Sequence, residues 1–219
     1  MKSKKTEPIK LIKDAIHGLD LHYDDSYLHI FQIYLSMIRK WSRAYNLTSL
    51  KKDRDIVIKH FIDSIMYIKA IPESAATLLD VGSGAGFPGV PIKIIRPETK
   101  VYLLEPSRKK ISFLKNLIKE LALSDIFAVR CRVEEYPCGN KDMPETFDVI
   151  TTRALFKTEE FIARTGRLCT EDGIMIISKG PGYTKELDSL EKNSYEIMAT
   201  GLDTFGLDRK LVVIRPAKK

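Results

Sequence analysis

The segment of this 219-residue chain with the clearest chemical potential is Leu79-Asp80-Val81-Gly82-Ser83-Gly84-Ala85-Gly86, an apolar run that ends on an acid and enters a glycine-rich turn. Glycine lets backbone amides approach a ligand closely and tolerates positive φ, so Gly82, Gly84 and Gly86 mark a loop built to cradle one. Glu105 stands at the tip of the next apolar run, where a carboxylate can accept hydrogen bonds from two ribose hydroxyls. Two cofactors suit this pattern. Gly84-Ala85-Gly86-Phe87-Pro88-Gly89 matches the G-x-G-x-x-G dinucleotide fingerprint, with Glu105 about where the ribose acid belongs. In dinucleotide sites, however, the first glycine turns directly off the strand and the helix N-terminus faces a pyrophosphate. Here Asp80 and Gly82 come first. A carboxylate beside the loop suits a diphosphate badly, and it suits the ammonium and sulfonium groups of S-adenosylmethionine. The residues favour S-adenosylmethionine; an NAD-dependent oxidoreductase is the alternative, and a ligand-free structural turn is the plainest reading.

Other residues also have types and spacings that could do chemistry. Arg153 ends an apolar run, where a guanidinium can meet a donor carboxylate or the O6/N7 edge of a guanine; the rival reading is an ion pair with a neighbouring acid. The stretch Thr151-Thr152-Arg153 carries neither the Asn/Asp-Pro-Pro-aromatic loop that holds an exocyclic amine nor a nucleophilic cysteine. Pro137-Cys138 resembles a pyrimidine-methylase dipeptide but precedes that strand, so Cys138 reads as incidental. His60 and Asp63 are three apart on a helix and read as a structural pair tying the N-terminal helices to the sheet, since His17, His22 and His29 offer no metal-ligand spacing. Trp41 and Tyr45 read as core contacts, with stacking on a base as the other possibility. Among the cations, Arg39, Lys40 and Arg43 form one cluster, Lys51, Lys52 and Arg54 another, and Lys179 lies at the same end of the sheet as Asp80 and Arg153, where an RNA phosphate can approach.

These residues need elements to position them. Asp24-Asp25-Ser26 offers N-caps for an amphipathic helix through Ile30, Ile33, Tyr34, Met37, Ile38 and Trp41, and a second helix is expected over Arg54 to Ala70, closed by Pro72. From Thr77, fully apolar runs alternate with helical stretches: Thr77–Val81, Val101–Leu104, Ile126–Val129, Phe147–Ile150 and Ile174–Ile177. Such runs suit strands buried on both faces of a parallel sheet. Tyr195–Thr204 and Lys210–Ile214 predict an antiparallel hairpin at the sheet edge. The expected architecture is therefore α/β, a Rossmann-like sheet over 77–219 preceded by a helical cap over 1–76, all in one domain. The net charge of +7 raises affinity for polyanions without selecting one. No apolar run is long enough to span a bilayer, and the N-terminus lacks a signal-peptide core. Cys131, Cys138 and Cys169 are odd in number and read as reduced, which points to the cytoplasm.

The chain also resembles the RsmG (GidB) family of class I S-adenosylmethionine-dependent methyltransferases, which place a methyl on N7 of a guanine in 16S ribosomal RNA. The residues carrying the likeness are Lys40 to Thr48, Lys59 to Ser64, Leu79 to Pro91, Arg96-Pro97-Glu98, Arg132 to Glu135, Thr152-Arg153-Ala154 and Lys179-Gly180. The resemblance implies that Gly82 and Phe87 line the donor site, that Val133 and Glu134 contact adenine, and that Arg153 reaches the donor. Glu105 replaces the Asp of many relatives and still bridges a diol. It further implies a partner, 16S ribosomal RNA or the small ribosomal subunit, and a monomeric enzyme without membrane association. A non-catalytic RNA-binding or ribosome-assembly protein that retains a donor pocket is the remaining alternative.

Overall fold

The structure, a computed structural model, describes residues 3–22, 24–139, 142–153, 155–188, 190–191, 194–201 and 203–216. Ala154, part of the Thr152-Arg153-Ala154 motif, lies outside the described residues. The cap begins with helix α1 (Ser3–Gly18) and helix α2 (Asp25–Tyr45). Asp24 caps α2 as its sequence predicts, its carboxylate accepting the Ser26 N–H at 2.7 Å. The single helix expected over Arg54 to Ala70 is instead composite. Helix α3 (Asp53–Ile56) widens into a π-helical stretch (Val57–Ile62), returns to α4 (Asp63–Ile65) and tightens into a 3-10 turn (Met66–Lys69). Ile56 to Ile58 and Phe61 to Ile68 are all buried. A segment enclosed on nearly every side has no solvated face to keep in phase, so the 3.6-residue period does not govern it.

Among the described residues seven strands follow, β1 (Thr77–Val81), β2 (Lys100–Leu104), β3 (Ile126–Val129), β4 (Phe147–Arg153), β5 (Cys169–Lys179), β6 (Tyr195–Ala199) and β7 (Lys210–Ile214), in the spatial order β3-β2-β1-β4-β5-β7-β6. The first five are parallel. The C-terminal hairpin adds the antiparallel edge, with β7 on the inside against β5 and β6 outermost. Strand order reverses between β1 and β4, which makes their carboxyl ends the natural crevice of the sheet.

Alternation along the strands divides the interior. Leu78, Val101, Leu103, Val149 and Ile176 face α5 (Gly89–Ile95), α6 (Arg108–Glu120) and the cap. Leu79, Val81, Leu104, Ile150 and Ile177 face Phe161 of α7 (Thr158–Thr165) on the opposite side. Cap residues such as Ile12, Phe31 and Phe61 share one hydrophobic cluster with the sheet. Among the described residues, no helix is long and apolar enough to cross a membrane.

Phe61 has no exposed surface and packs on Phe31, Tyr34 and Phe87 at ring separations of 5.4, 4.9 and 5.4 Å. Phe61→Ala is expected to cost about 3–5 kcal/mol of stability. Circular dichroism and Trp41 fluorescence should report one coincident, earlier transition; two separated transitions would show that cap and sheet unfold independently.

Candidate donor-binding site

The glycine loop is shaped by three residues with positive φ, Gly82 at 75°, Gly84 at 60° and Gly86 at 96°, a region that L side chains rarely enter. The Gly82 and Ser83 N–H groups both donate to the Leu104 carbonyl, at 2.8 and 3.1 Å, seating the turn on the end of β2. Glu105 is 4% exposed and clamps the loop: Oε2 accepts the Gly84 N–H at 3.0 Å and Oε1 the Ser107 N–H at 2.9 Å. Each oxygen keeps a lone pair for a further donor.

Asp80 was expected beside the loop, facing the ligand; the structure puts it underneath. It has no exposed surface, and Oδ2 accepts the Gly89 N–H at 2.9 Å at the start of α5. Its Oδ1 has no hydrogen-bond partner. Burial pushes the carboxyl up to about 7, against the lowering effect of the Gly89 and Ser83 hydrogen bonds. The alternation of β1 explains the placement, because Asp80 shares the Leu78 face and points towards α5 and the cap.

On the other face, a cavity of about 210 Å³ lies between Val81, Gly82, Leu104 and Pro106 on one wall and Arg132, Val133 and Glu134 on the other, roofed by Leu155 and Phe156. The mainly apolar walls suit the faces of a purine, and Glu105 follows the Leu104 wall directly. Leu155 closes over Gly82, its Cδ2 standing 2.4 Å from where a Cβ on that residue would be. Val133 and Glu134 thus line the cavity, and the Glu134 carboxylate pairs with Arg164.

The loop's second half faces the cap. A Cβ on Gly86 would meet Tyr34 Oη at 2.6 Å and Val90 Cγ2 at 2.7 Å, and Tyr34 donates its hydroxyl to the Ala85 carbonyl at 2.6 Å. Phe87 is 3% exposed and stacks on Tyr34 and His60, so its side chain serves the core. The Arg153 guanidinium also turns this way. It donates to the Lys59 carbonyl at 3.1 Å, meets His60 Nδ1 at 3.0 Å and Asp63 Oδ2 at 3.5 Å, and lies 5.1 Å over the Phe87 ring. His60 Nδ1 stands 3.0 Å from both the Arg153 guanidinium, which can only donate, and the Lys59 carbonyl, which can only accept, while Nε2 faces Thr48 Oγ1 at 2.9 Å. Burial, then Arg153, lowers the His60 pKa to about 4. Burial raises that of Asp63, opposed first by Arg153. His60 and Asp63 therefore do join cap to sheet, each through Arg153.

A family model described as GidB, rRNA small subunit methyltransferase G, matches residues 27–204. The chain belongs to that family. It is 38% identical over 186 residues to the ribosomal RNA small subunit methyltransferase G of Syntrophus aciditrophicus, covering 83% of this chain and 75% of that one. It is 32% identical to the protein of that name from Acetivibrio thermocellus, covering 98% and 91%. Solved structures share the fold. A SAM-dependent methyltransferase from Aquifex aeolicus superposes with a TM-score of 0.52 at 18% identity, over 74% of this chain and 93% of that one. The Methanococcus jannaschii fibrillarin pre-rRNA processing protein gives 0.51 at 19%, over 65% and 67%.

The structure gathers Gly82, Val133 and Glu134 at one cavity; Gly84 and Glu105, bonded to each other, adjoin its lining residues in the chain without lining it. It sends Asp80, Gly86, Phe87 and Arg153 to the cap side. Lys179 does not face an RNA phosphate: it is 8% exposed, and its ammonium meets Glu186 at 2.5 Å and the Phe156 carbonyl at 3.4 Å. The apolar stem of a lysine ending a central strand folds inward, and the charge follows to the nearest acid. Arg39, Lys40 and Arg43 are exposed on α2. Arg39 pairs with Asp53 at 2.9 Å, and the three border a cleft of about 430 Å³ whose lining residues all come from the cap. Cys131 and Cys138 bring their side chains together across a tight turn, their Cα atoms 6.0 Å apart, and Cys169 is buried and free. Sequence reasoning missed Leu155 and Pro106, which no pattern marks, and Tyr67, whose hydroxyl donates to the Thr152 carbonyl at 2.8 Å and accepts the Ser178 N–H at 3.1 Å.

The Asp80 value of about 7 lies above its ordinary 3.8, so the folded protein holds this proton more tightly than the unfolded chain. Its contribution is complete below about 4 and is lost as pH rises to about 7. His60 acts oppositely, adding stability as pH rises from about 4 to 6.5. The isosteric Asp80→Asn should therefore gain Tm relative to the parent progressively between pH 4 and 7; a pH-independent difference contradicts the assignment.

Proposed function

We propose that this chain transfers the methyl group of S-adenosylmethionine to N7 of a guanine in 16S ribosomal RNA, as a cytoplasmic monomer acting on the RNA or the small ribosomal subunit. The observation that carries this reading is the cavity at Gly82, which places an apolar purine slot beside the Glu105 carboxylate in a chain of the small-subunit rRNA methyltransferase family. When bound, S-adenosylmethionine supplies an electrophilic methyl group.

What remains for the protein is position. Val81, Leu104, Val133 and Glu134 would hold the adenine, and the spare lone pairs of Glu105 would receive the ribose hydroxyls. Asp80 supports the loop from beneath by holding the Gly89 N–H at the start of α5. Guanine N7 carries an exposed lone pair, so in-line displacement needs no proton abstraction, and orientation with exclusion of water supplies the acceleration. Leu155 and Phe156 exclude water; Arg153 holds the end of β4 against the cap as a positioning residue. Arg39, Lys40 and Arg43 offer an electrostatic approach for phosphates.

Incubation with labelled donor and either naked 16S RNA or small subunits, followed by nucleoside analysis, should yield 7-methylguanosine. Gly82→Val, β-branched at positive φ and driven into Leu155, should weaken S-adenosylhomocysteine binding by about tenfold or more while circular dichroism is unchanged. Binding of NAD alone, or donor binding without methylated guanosine on either substrate, overturns the proposal.

A further inference from the structure

Tyr45 contradicts its expected role as a core contact: it is 46% exposed, on the last residue of α2. Its ring rests on Trp41 at 5.3 Å, and Trp41 packs edge-on against Phe113 of α6 at 5.6 Å. Tyr45 is thus the outermost of three aromatics whose innermost member is fully buried. Lys109 Nζ lies 5.9 Å from the Tyr45 ring centroid, close enough for a cation–π contact.

The location gives this arrangement meaning. Lys109 is in the first turn of α6, beside Lys110, whose Nζ is 3.7 Å from the Glu105 oxygen that holds Gly84. In the other direction the chain leaves Tyr45 through left-handed Asn46 and reaches Thr48, which bonds His60 against Phe87. Tyr45 is therefore connected to the glycine loop from both sides at one remove, through Lys110 and Glu105 to Gly84 and through Thr48 and His60 to Phe87. A half-exposed aromatic ring braced by Trp41, with the ammonium of a flexible, exposed lysine over it, matches an unpaired nucleobase and its phosphate, because every base has a π face and every linkage a negative charge that the lysine can swing to meet.

We propose that Tyr45, backed by Trp41 and flanked by Lys109, is a stacking platform for an unpaired RNA base beside the target nucleotide. The proposal rests on the RNA substrate inferred above. Trp41 is the chain's one tryptophan, so its emission reports on the platform directly. Titration with a short single-stranded fragment of 16S RNA should quench it saturably, and the same sequence as a duplex should not. Tyr45→Leu keeps the apolar bulk but loses the π face; it should weaken RNA affinity roughly tenfold, with Tm and S-adenosylhomocysteine affinity held, whereas Tyr45→Phe should retain the quench. Lys109→Ala should flatten the salt dependence of RNA binding by about one phosphate contact. Equal quenching by duplex, or RNA affinity in Tyr45→Leu equal to the parent's, overturns the platform. Quenching without 7-methylguanosine leaves the platform standing and removes the methyltransferase reading; 7-methylguanosine with unaltered Tyr45→Leu binding does the reverse.

Discussion

The Glu105 carboxylate holds two backbone N–H groups from segments 23 residues apart, Gly84 in the glycine loop and Ser107 at the start of α6. Charge-assisted bonds of this kind are roughly twice as strong as neutral ones, and at 4% exposure little water competes for them. The position of the loop follows from this clamp. With Gly84 pinned to the end of β2, and the Gly82 and Ser83 N–H groups seated on the Leu104 carbonyl, the chain has only left-handed backbone available to turn, and glycine supplies it. The cavity beside Gly82 exists because that turn stands clear of Val133.

The same loop joins two faces of the sheet. Its first half opens on the cavity and its second half is packed by the cap, so the donor site and the helical cap are two sides of one short segment. Tyr34 bonds the loop's Ala85 carbonyl, Tyr67 bridges the ends of β4 and β5, and Arg153 gathers Lys59, His60, Asp63 and Phe87. The cap is thereby fastened to the carboxyl edge of the sheet at three places. Because interiors are close-packed, a displacement at one of them is transmitted to the loop.

The electrostatics follow from this burial. Asp80 and Asp63 are both raised by loss of water and His60 is lowered by it, with Arg153 between them as the shared positive charge. Asp80 Oδ1 and both Asp63 oxygens lack hydrogen-bond partners, which adds to the cost of ionising either group.

Much of the fold was legible in the sequence, since buried parallel strands need continuous apolar runs and capped helices need their periodic face; Thr77–Val81, Asp24 and the C-terminal hairpin all followed from such local rules. Gly82, Gly84, Glu105, Val133 and Glu134 were legible as a site because positive φ and strand-end carboxylates leave marks in residue type. What the sequence did not determine was direction. A strand's alternation decides that Asp80 goes under the loop while Val81 faces the cavity, and only the sheet and its covering helices decide which face holds ligand and which holds cap. Arg153 and Lys179 carry the same charge at neighbouring strand ends, yet each turns inward to an acid, Arg153 to Asp63 from the distant cap and Lys179 to Glu186 in the turn that follows its own strand. Tyr45 has the spacing of a core residue and ends in solvent, because α2 outruns the α6 surface on which Trp41 still rests. Residue type set the chemistry available; long-range packing chose which groups remain free to use it.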